Sequence, residues 1–372
     1  MRKSAKDVGI LAVLVVGLAA GCGQVVSAGD EVSWPAAREG LVFSFETADI
    51  QTPMLVFDLD NKPVYSCSIA ARARAKYDHH SAMVTTGGSF VAERIETYLG
   101  PALQKSGALT IEAYVSPQEP ALAQSGVVLA FSSEAGPANF ALVQVKNKLV
   151  LDLRTSAAPE KQPPVQVELA ALSDAKPFHL AVTYAGGVLV GYRDGKEVLR
   201  STAVTGDFTN WTDSRLLFGD DWPAKQPWPG ALEGIAVFKR ALGADEVKRD
   251  AQVYLKKVQA RPAVPIIQVR GKLLAKSPVP EYKQIQPYYQ ALAVYEYEVE
   301  KVLAGTCNEK KIRVAHWAMM EKKPLPAIGD RPVGQSYDLV MEPFAANLQL
   351  ESQWLSNTLE PIEPPPYLDV AP

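Results

Sequence analysis

Apolar residues recur at every second position through much of the chain. In Gly40–Asp49, Leu41, Phe43 and Phe45 fall on one face and Val42, Ser44 and Glu46 on the other, the period of a strand. Gly107–Pro117 alternates Leu109, Ile111, Ala113 and Val115 against Thr110, Glu112 and Tyr114. Gly126–Ser133 is a short, continuous apolar run of the kind a buried strand shows. Asn139–Thr155 predicts two strands around the tight turn Lys146-Asn147-Lys148. Pro177–Ser201 predicts three, with turns at Ala185-Gly186-Gly187 and at Asp194-Gly195, where both residues tolerate positive φ. Ser214–Asp220 and Leu232–Arg240 add two more. Many short strands with frequent turn signals predict an antiparallel sandwich or jelly roll. A helical pattern follows in Gly243–Ala260, with Asp245 and Glu246 suited to the helix N-terminus and Pro262 and Pro265 stiffening the boundary beyond it.

The pattern then restarts. Ile266–Ser277 reads as a strand bent at Gly271, and Tyr288–Gly305 as one long, curved strand. Lys311–Met320 and Gln335–Phe344 complete a second β-rich unit. Its spacing looks like that of a small OB-like or netrin-like barrel. A proline-rich, extended tail ends the chain.

Several motifs stand in register: the hairpin YRDGKEV (Tyr192–Val198), GDFTNW (Gly206–Trp211), LLFGDDW and PWPGALEGIAVFKRALGADEV (Pro227–Val247), with SGALTIEAYVSP, NFALVQ and FHLAVTY upstream. Over about residues 38–255 their order resembles the laminin-G-like branch of the concanavalin A-like lectin/glucanase superfamily. The resemblance implies a jelly-roll sandwich whose last strand, ALEGIAVFKR, lies beside the first, LVFSF. It also raises one Ca²⁺ at the sheet rim. Calcium wants about six to eight oxygens, and Asp207, Asp220 and Asp221 are the carboxylates offered there.

At the N-terminus, Arg2, Lys3 and Lys6 precede the apolar run Val8–Ala20 and the small residues LAAGC. That run is shorter than the roughly 20 residues a membrane span needs. The segment looks like a bacterial lipoprotein signal cleaved before Cys22, whose thiol then carries lipid. Gly23 after the cysteine favours the outer membrane or cell surface. The expected organisation is a signal peptide (1–21), a tether (22–38), a laminin-G-like sandwich (39–260), a small β-barrel-like domain (261–350) and a proline-rich tail (351–372). The net charge of −3 and the lack of a basic block exclude a nucleic-acid partner. Cys67 and Cys307 are the other cysteines, open to pairing or to standing as buried thiols.

Glu296, Glu298 and Glu300 share one strand face, an arrangement that glucanases of this fold use for acid catalysis. They lie outside the sandwich, however, and Tyr295, Tyr297 and Val299 explain them as the wet face of an amphipathic strand. His79 and His80 read as a solvated loop, and His179 and His316 as structural residues within strands. Trp211, Trp222 and Trp228 fall in loops at the sandwich end. Each could stack on a sugar. Burial favours Trp211 and Trp228 as plugs and leaves Trp222 as the exposed contact. The sequence thus predicts a non-catalytic envelope lipoprotein that binds a glycan or a protein partner. The alternative is an adaptor subunit making only protein contacts. A glycoside hydrolase is disfavoured, because the sandwich carries no acid pair in the enzymes' spacing.

Overall fold

The computed structural model describes residues 34–46, 54–57, 63–134, 136–157, 164–351 and 353–370. Cys22, the expected signal peptide and most of the expected tether lie outside them. From Ser33 onward the chain forms one compact unit. The predicted strands are present, and all the sandwich pairings are antiparallel. One sheet runs in the order Lys196–Ser201, Val188–Arg193, Phe178–Ala185, Ala108–Pro117, Gly230–Phe238, Leu41–Phe45, Met54–Phe57, Pro63–Cys67. The other runs Val165–Ala171, Lys148–Leu153, Phe140–Val145, Gly126–Ser132, Arg215–Phe218, Gly88–Ala92, Ile69–Ala73. The last strand of the sandwich does lie beside the first, with Phe43 opposite Val237 and Phe45 opposite Ile235. The inward residues of both sheets, among them Phe43, Phe90, Phe131, Phe140 and Phe178, make one core.

A second apolar layer covers the outer face of the first sheet. The helix Ala244–Gln259 begins where the sequence places it. The Gly243 N–H donates to Glu246 Oε2 at 2.9 Å, and Arg240 holds the same carboxylate. Tyr254 from this helix meets Trp34 and Tyr114, with ring centroids 5.0 and 5.3 Å apart. Trp34 and Ala37, which fall within the expected tether 22–38, are buried in this layer. The strand Gly230–Phe238 bulges between Glu233 and Ala236. Gly234 there has φ +56°, and a Cβ on it would stand 2.4 Å from the Tyr254 ring. Glycine at this point permits both the bulge and the ring's approach. The bulge also aims Glu233 at Tyr254 Oη (2.9 Å) and Arg261.

A helix not predicted, Glu96–Ser106, crosses the sandwich end and buries Leu99 and Leu103. Gly100 and Pro101 in its middle hide its period from the sequence, since both are poor helix formers.

Downstream, five strands close into a barrel. Ile267–Lys276 pairs with Ala291–Ala304, which pairs with Lys311–Met320. Lys311–Met320 pairs in parallel with Tyr367–Asp369, and Ser336–Pro343 joins that strand back to Ile267–Lys276. The register of the first strand shifts at Arg270/Gly271, as the expected bend requires. The proline-rich segment is thus more than an extended tail, because Tyr367–Asp369 completes the barrel. Cys67 and Cys307 are free thiols. Burial pushes the Cys67 thiol up to about 11.

Beneath the helix, Glu112 is fully buried. Burial and the nearby Asp250 carboxylate raise its pKa well above the ordinary 4.5, so folding favours its protonated form. Below that ordinary value both states are protonated. Above it the unfolded chain ionises freely, and stability falls as pH climbs toward the folded pKa. Glu112→Gln keeps the shape and removes this slope. Urea titrations should find the variant more stable than the parent at pH 8, by about 1 kcal/mol or more as for the removal of one unfavourable buried group, with the gap closing at pH 4.5.

Candidate binding sites

The outer face of the second sheet has an apolar floor. The register aligns Val91, Leu217, Ala130 and Ala141 in one row, continued by Asp152 and Gln166. Val127, Val143 and Val150 align beside it and lead to Glu168. Alternation puts the core residues on the opposite face. A solvated sheet face usually carries polar side chains; this one carries alanine and valine, and Val127, Ala130, Ala141, Val143 and Leu217 are buried there, with polar residues at the margin.

Trp222 stands at that margin. The loop after Arg215–Phe218 folds back so that the half-buried indole donates its N–H to the Ser132 carbonyl at 2.8 Å. The Arg72 and Arg215 guanidinium carbons lie 5.5 and 5.9 Å from its ring centroid, within cation–π range. The loop is stapled by its own acids. Asp220 Oδ1 accepts the N–H groups of Asp221 (2.8 Å) and Gln226 (2.9 Å), and Asp221 Oδ1 accepts that of Lys225 (2.7 Å). Burial raises the Asp220 carboxyl although those N–H groups favour its ionised form.

The other two tryptophans are not platforms. Trp228 is fully buried, with its N–H on Gln144 Oε1 at 2.7 Å. Trp211 is stacked on Phe208, centroids 4.2 Å apart, and donates to the Arg154 carbonyl at 2.7 Å. Large rings close the sandwich here because burial gains more than exposure would. The expected calcium ligands are also separated. Asp207 sits by Ser156, beyond the end of Lys148–Leu153, where it accepts from Thr209 N and Oγ1 at 3.1 and 2.6 Å. Asp220 and Asp221 lie beyond the opposite end of that sheet, beside Val127. Among the described residues no group of three or more His, Cys, Asp or Glu side chains could hold a metal. The three carboxylates act as turn acceptors.

A second site is absent from the sequence reading. A cavity of about 750 Å³ opens between the hairpin Lys76–Tyr77/Met83–Val84 and the barrel. Asp78 Oδ1 accepts the N–H groups of His80 (2.8 Å) and Ala82 (2.9 Å) and so shapes the turn that carries the histidines. His79 is no solvated loop residue. Its Nδ1 lies 2.9 Å from Glu342 Oε2 of the barrel, an ion pair without good hydrogen-bond alignment. On the barrel side, Asp369 can only accept when ionised, so His316 Nδ1–H donates to it, at 2.8 Å. His316 Nε2 then accepts from Tyr297 Oη at 3.0 Å, which accepts in turn from Arg331 at 3.0 Å. Burial holds the His316 ring below its ordinary pKa against the pull of Asp369. The acid strand is an amphipathic strand with its acids on the wet face: Glu296 pairs with Arg313, while Glu298 and Glu300 are exposed.

The ion pair has a definite pH signature. The bond to Glu342 raises the His79 pKa, although burial opposes it. At Glu342 burial pushes upward, but His79 outweighs it and the pKa is lowered. His79 stabilises the fold below its ordinary 6.5 and loses this as pH rises through its folded pKa. Glu342 contributes above 4.5 and loses this as pH falls through its folded pKa. Melting curves of His79→Gln should therefore show a loss on the order of 1 kcal/mol near pH 5.5, shrinking steadily above pH 7.

Residues 93–248 match a laminin-G family model, described as the concanavalin A-like lectin/glucanases superfamily. The resemblance read from the sequence is thus found across the middle of the sandwich. No curated protein matches the chain. Among solved structures, the binding domain of botulinum neurotoxin DC in complex with rat synaptotagmin II is 10% identical, covers 74% of this chain and 70% of its own, and has a TM-score of 0.46. A botulinum neurotoxin type C structure, whose cell entry depends on two ganglioside molecules, is 11% identical with 83% and 74% coverage and a TM-score of 0.46. Domain 4 of an extracellular arabinanase from Geobacillus stearothermophilus, in complex with arabinotriose, is 14% identical, covers 58% and 100%, and has a TM-score of 0.40.

Proposed function

We propose that this chain is a non-catalytic binding protein of the bacterial cell envelope, anchored through lipidated Cys22, that holds a glycan on the outer face of its second sheet. Trp222 carries the reading. Its N–H is committed to Ser132, and Arg72 and Arg215 lie over its ring, so a ligand at this margin meets the half-buried indole together with two guanidinium groups. A sugar ring presents C–H groups on one side and hydroxyls at its edge, which suits an aromatic face with polar groups around it. The lectin-type family match over residues 93–248 supports the same class of ligand.

A glycan array probed with the purified chain should give a defined set of positive glycans. Trp222→Ala should weaken them by about tenfold or more, measured well below the variant's own melting temperature, which loss of the half-buried indole lowers. A silent array, with a specific protein recovered by crosslinking, points instead to the adaptor reading. The anchor is tested separately. The chain expressed in a bacterium with radiolabelled palmitate should carry label and sediment with membranes, and Cys22→Ser should lose both. Label that persists in Cys22→Ser rejects the anchor.

A further inference from the structure

We infer that the cavity between the hairpin and the barrel is a second ligand site, and that it takes an acyl chain. Its volume of about 750 Å³ is in the range of small-molecule sites. The charged groups around it answer one another. Glu342 is met by His79 and Asn347, Asp369 by His316 and Arg331, and Asp78 by two backbone N–H groups. The Lys76 ammonium lies in the combined field of the Asp369, Glu342 and Asp78 carboxylates, and Arg74 is open to water. A ligand here therefore has no charge to neutralise.

What the protein leaves uncovered is apolar. Leu325, Pro326, Ala327 and Ile328 are four successive apolar residues, all lining the cavity and none of them buried. A run of that length left open goes against ordinary patterning unless it has a use. It is also held in place. The Leu325 N–H donates to the Ala318 carbonyl at 2.8 Å, Tyr295 Oη donates to the Ile328 carbonyl at 3.1 Å, and Lys276 Nζ donates to that of Gly329 at 2.7 Å. Half-buried Trp317 and Val370 continue the apolar lining. An apolar body that enters releases the water against these walls, and the gain grows with the apolar area covered. The walls are mostly aliphatic, so a chain of methylenes fits them without asking for a hydrogen bond. The inference uses neither Trp222 nor Cys22 and stands apart from the proposed glycan site.

The test uses the purified chain carrying Cys22→Ser, which brings no acyl group of its own, and the uncharged dye N-phenylnaphthylamine, whose fluorescence rises in apolar surroundings. Straight-chain alcohols from hexanol to decanol should displace the dye, with affinity rising about fourfold for each added CH₂. Salt should leave the series unchanged, because no charge is engaged. Ala327→Asp puts a carboxylate on the wall and should weaken decanol by about tenfold or more, whereas Ala327→Leu should retain it. Ala327 is exposed, so both variants keep the fold. Trp222→Ala should leave decanol binding unchanged, which separates this site from the sheet face. No dye uptake, an affinity that does not rise with chain length, or Ala327→Asp binding decanol as tightly as Ala327→Leu would overturn the inference.

Discussion

The sandwich depends on how one indole fills its open end. Trp228 enters from the strand crossover of the first sheet but is held by the second. Its N–H reaches Gln144, and its backbone N–H reaches the Gly219 carbonyl at 2.8 Å. Thr85 Oγ1 donates to its carbonyl at 2.8 Å and to that of Gly230 at 3.0 Å. The ring lies so close to Gly230 that a Cβ there would stand 2.3 Å from it, and a Cβ on Gly126 would stand 3.0 Å from the Trp228 Cα. Two sheets packed face to face leave their ends open, and a buried ring with a satisfied N–H closes one end at low polar cost. The glycines are space made for that ring.

This closure has an outward consequence. With Trp228 committed inward, the chain between it and Arg215–Phe218 must turn outside the sandwich. Asp220 and Asp221 tighten that excursion by accepting backbone N–H groups, and the excursion lays Trp222 on the outer sheet face. The same acids that suggest calcium in the sequence thus serve to position an aromatic ring. One local rule, that Asp accepts from nearby backbone N–H groups, accounts for both the turn and the lack of a metal cluster among the described residues.

Much of this architecture was legible locally. Period-two alternation marked the strands, Asp194-Gly195 with φ of 50° and 74° marked a hairpin, and Gly243 with Glu246 marked the helix start. Where the sequence misled, the cause was distance or local disguise. The helix Glu96–Ser106 is disguised by Gly100 and Pro101 and is stabilised by tertiary burial. Tyr367–Asp369 is three residues long behind a run of prolines, and only pairing with Lys311–Met320 and Ser336–Pro343 makes it a barrel strand. Of the candidate sites, Trp222 could be singled out because Trp211 and Trp228 belong to recurring motifs. The junction cavity could not. His79 and Glu342 are far apart in sequence, and neither stands in a motif that names the other.

At that junction, the two histidines differ in what surrounds them. His316 is fixed between an acceptor and a donor, and Arg331 completes the chain of bonds through Tyr297. Each proton in this chain has one place to be, and burial favours the neutral ring that the arrangement needs. Such a network gives shape: it holds Asp369 at the cavity wall and ties the last strand to the barrel. His79, by contrast, is partly exposed and paired across the junction with Glu342, so its charge state bears directly on how firmly the hairpin meets the barrel. One side of the cavity is thus a wall fixed by hydrogen bonds, and the other is held by a contact whose strength follows the charge of His79.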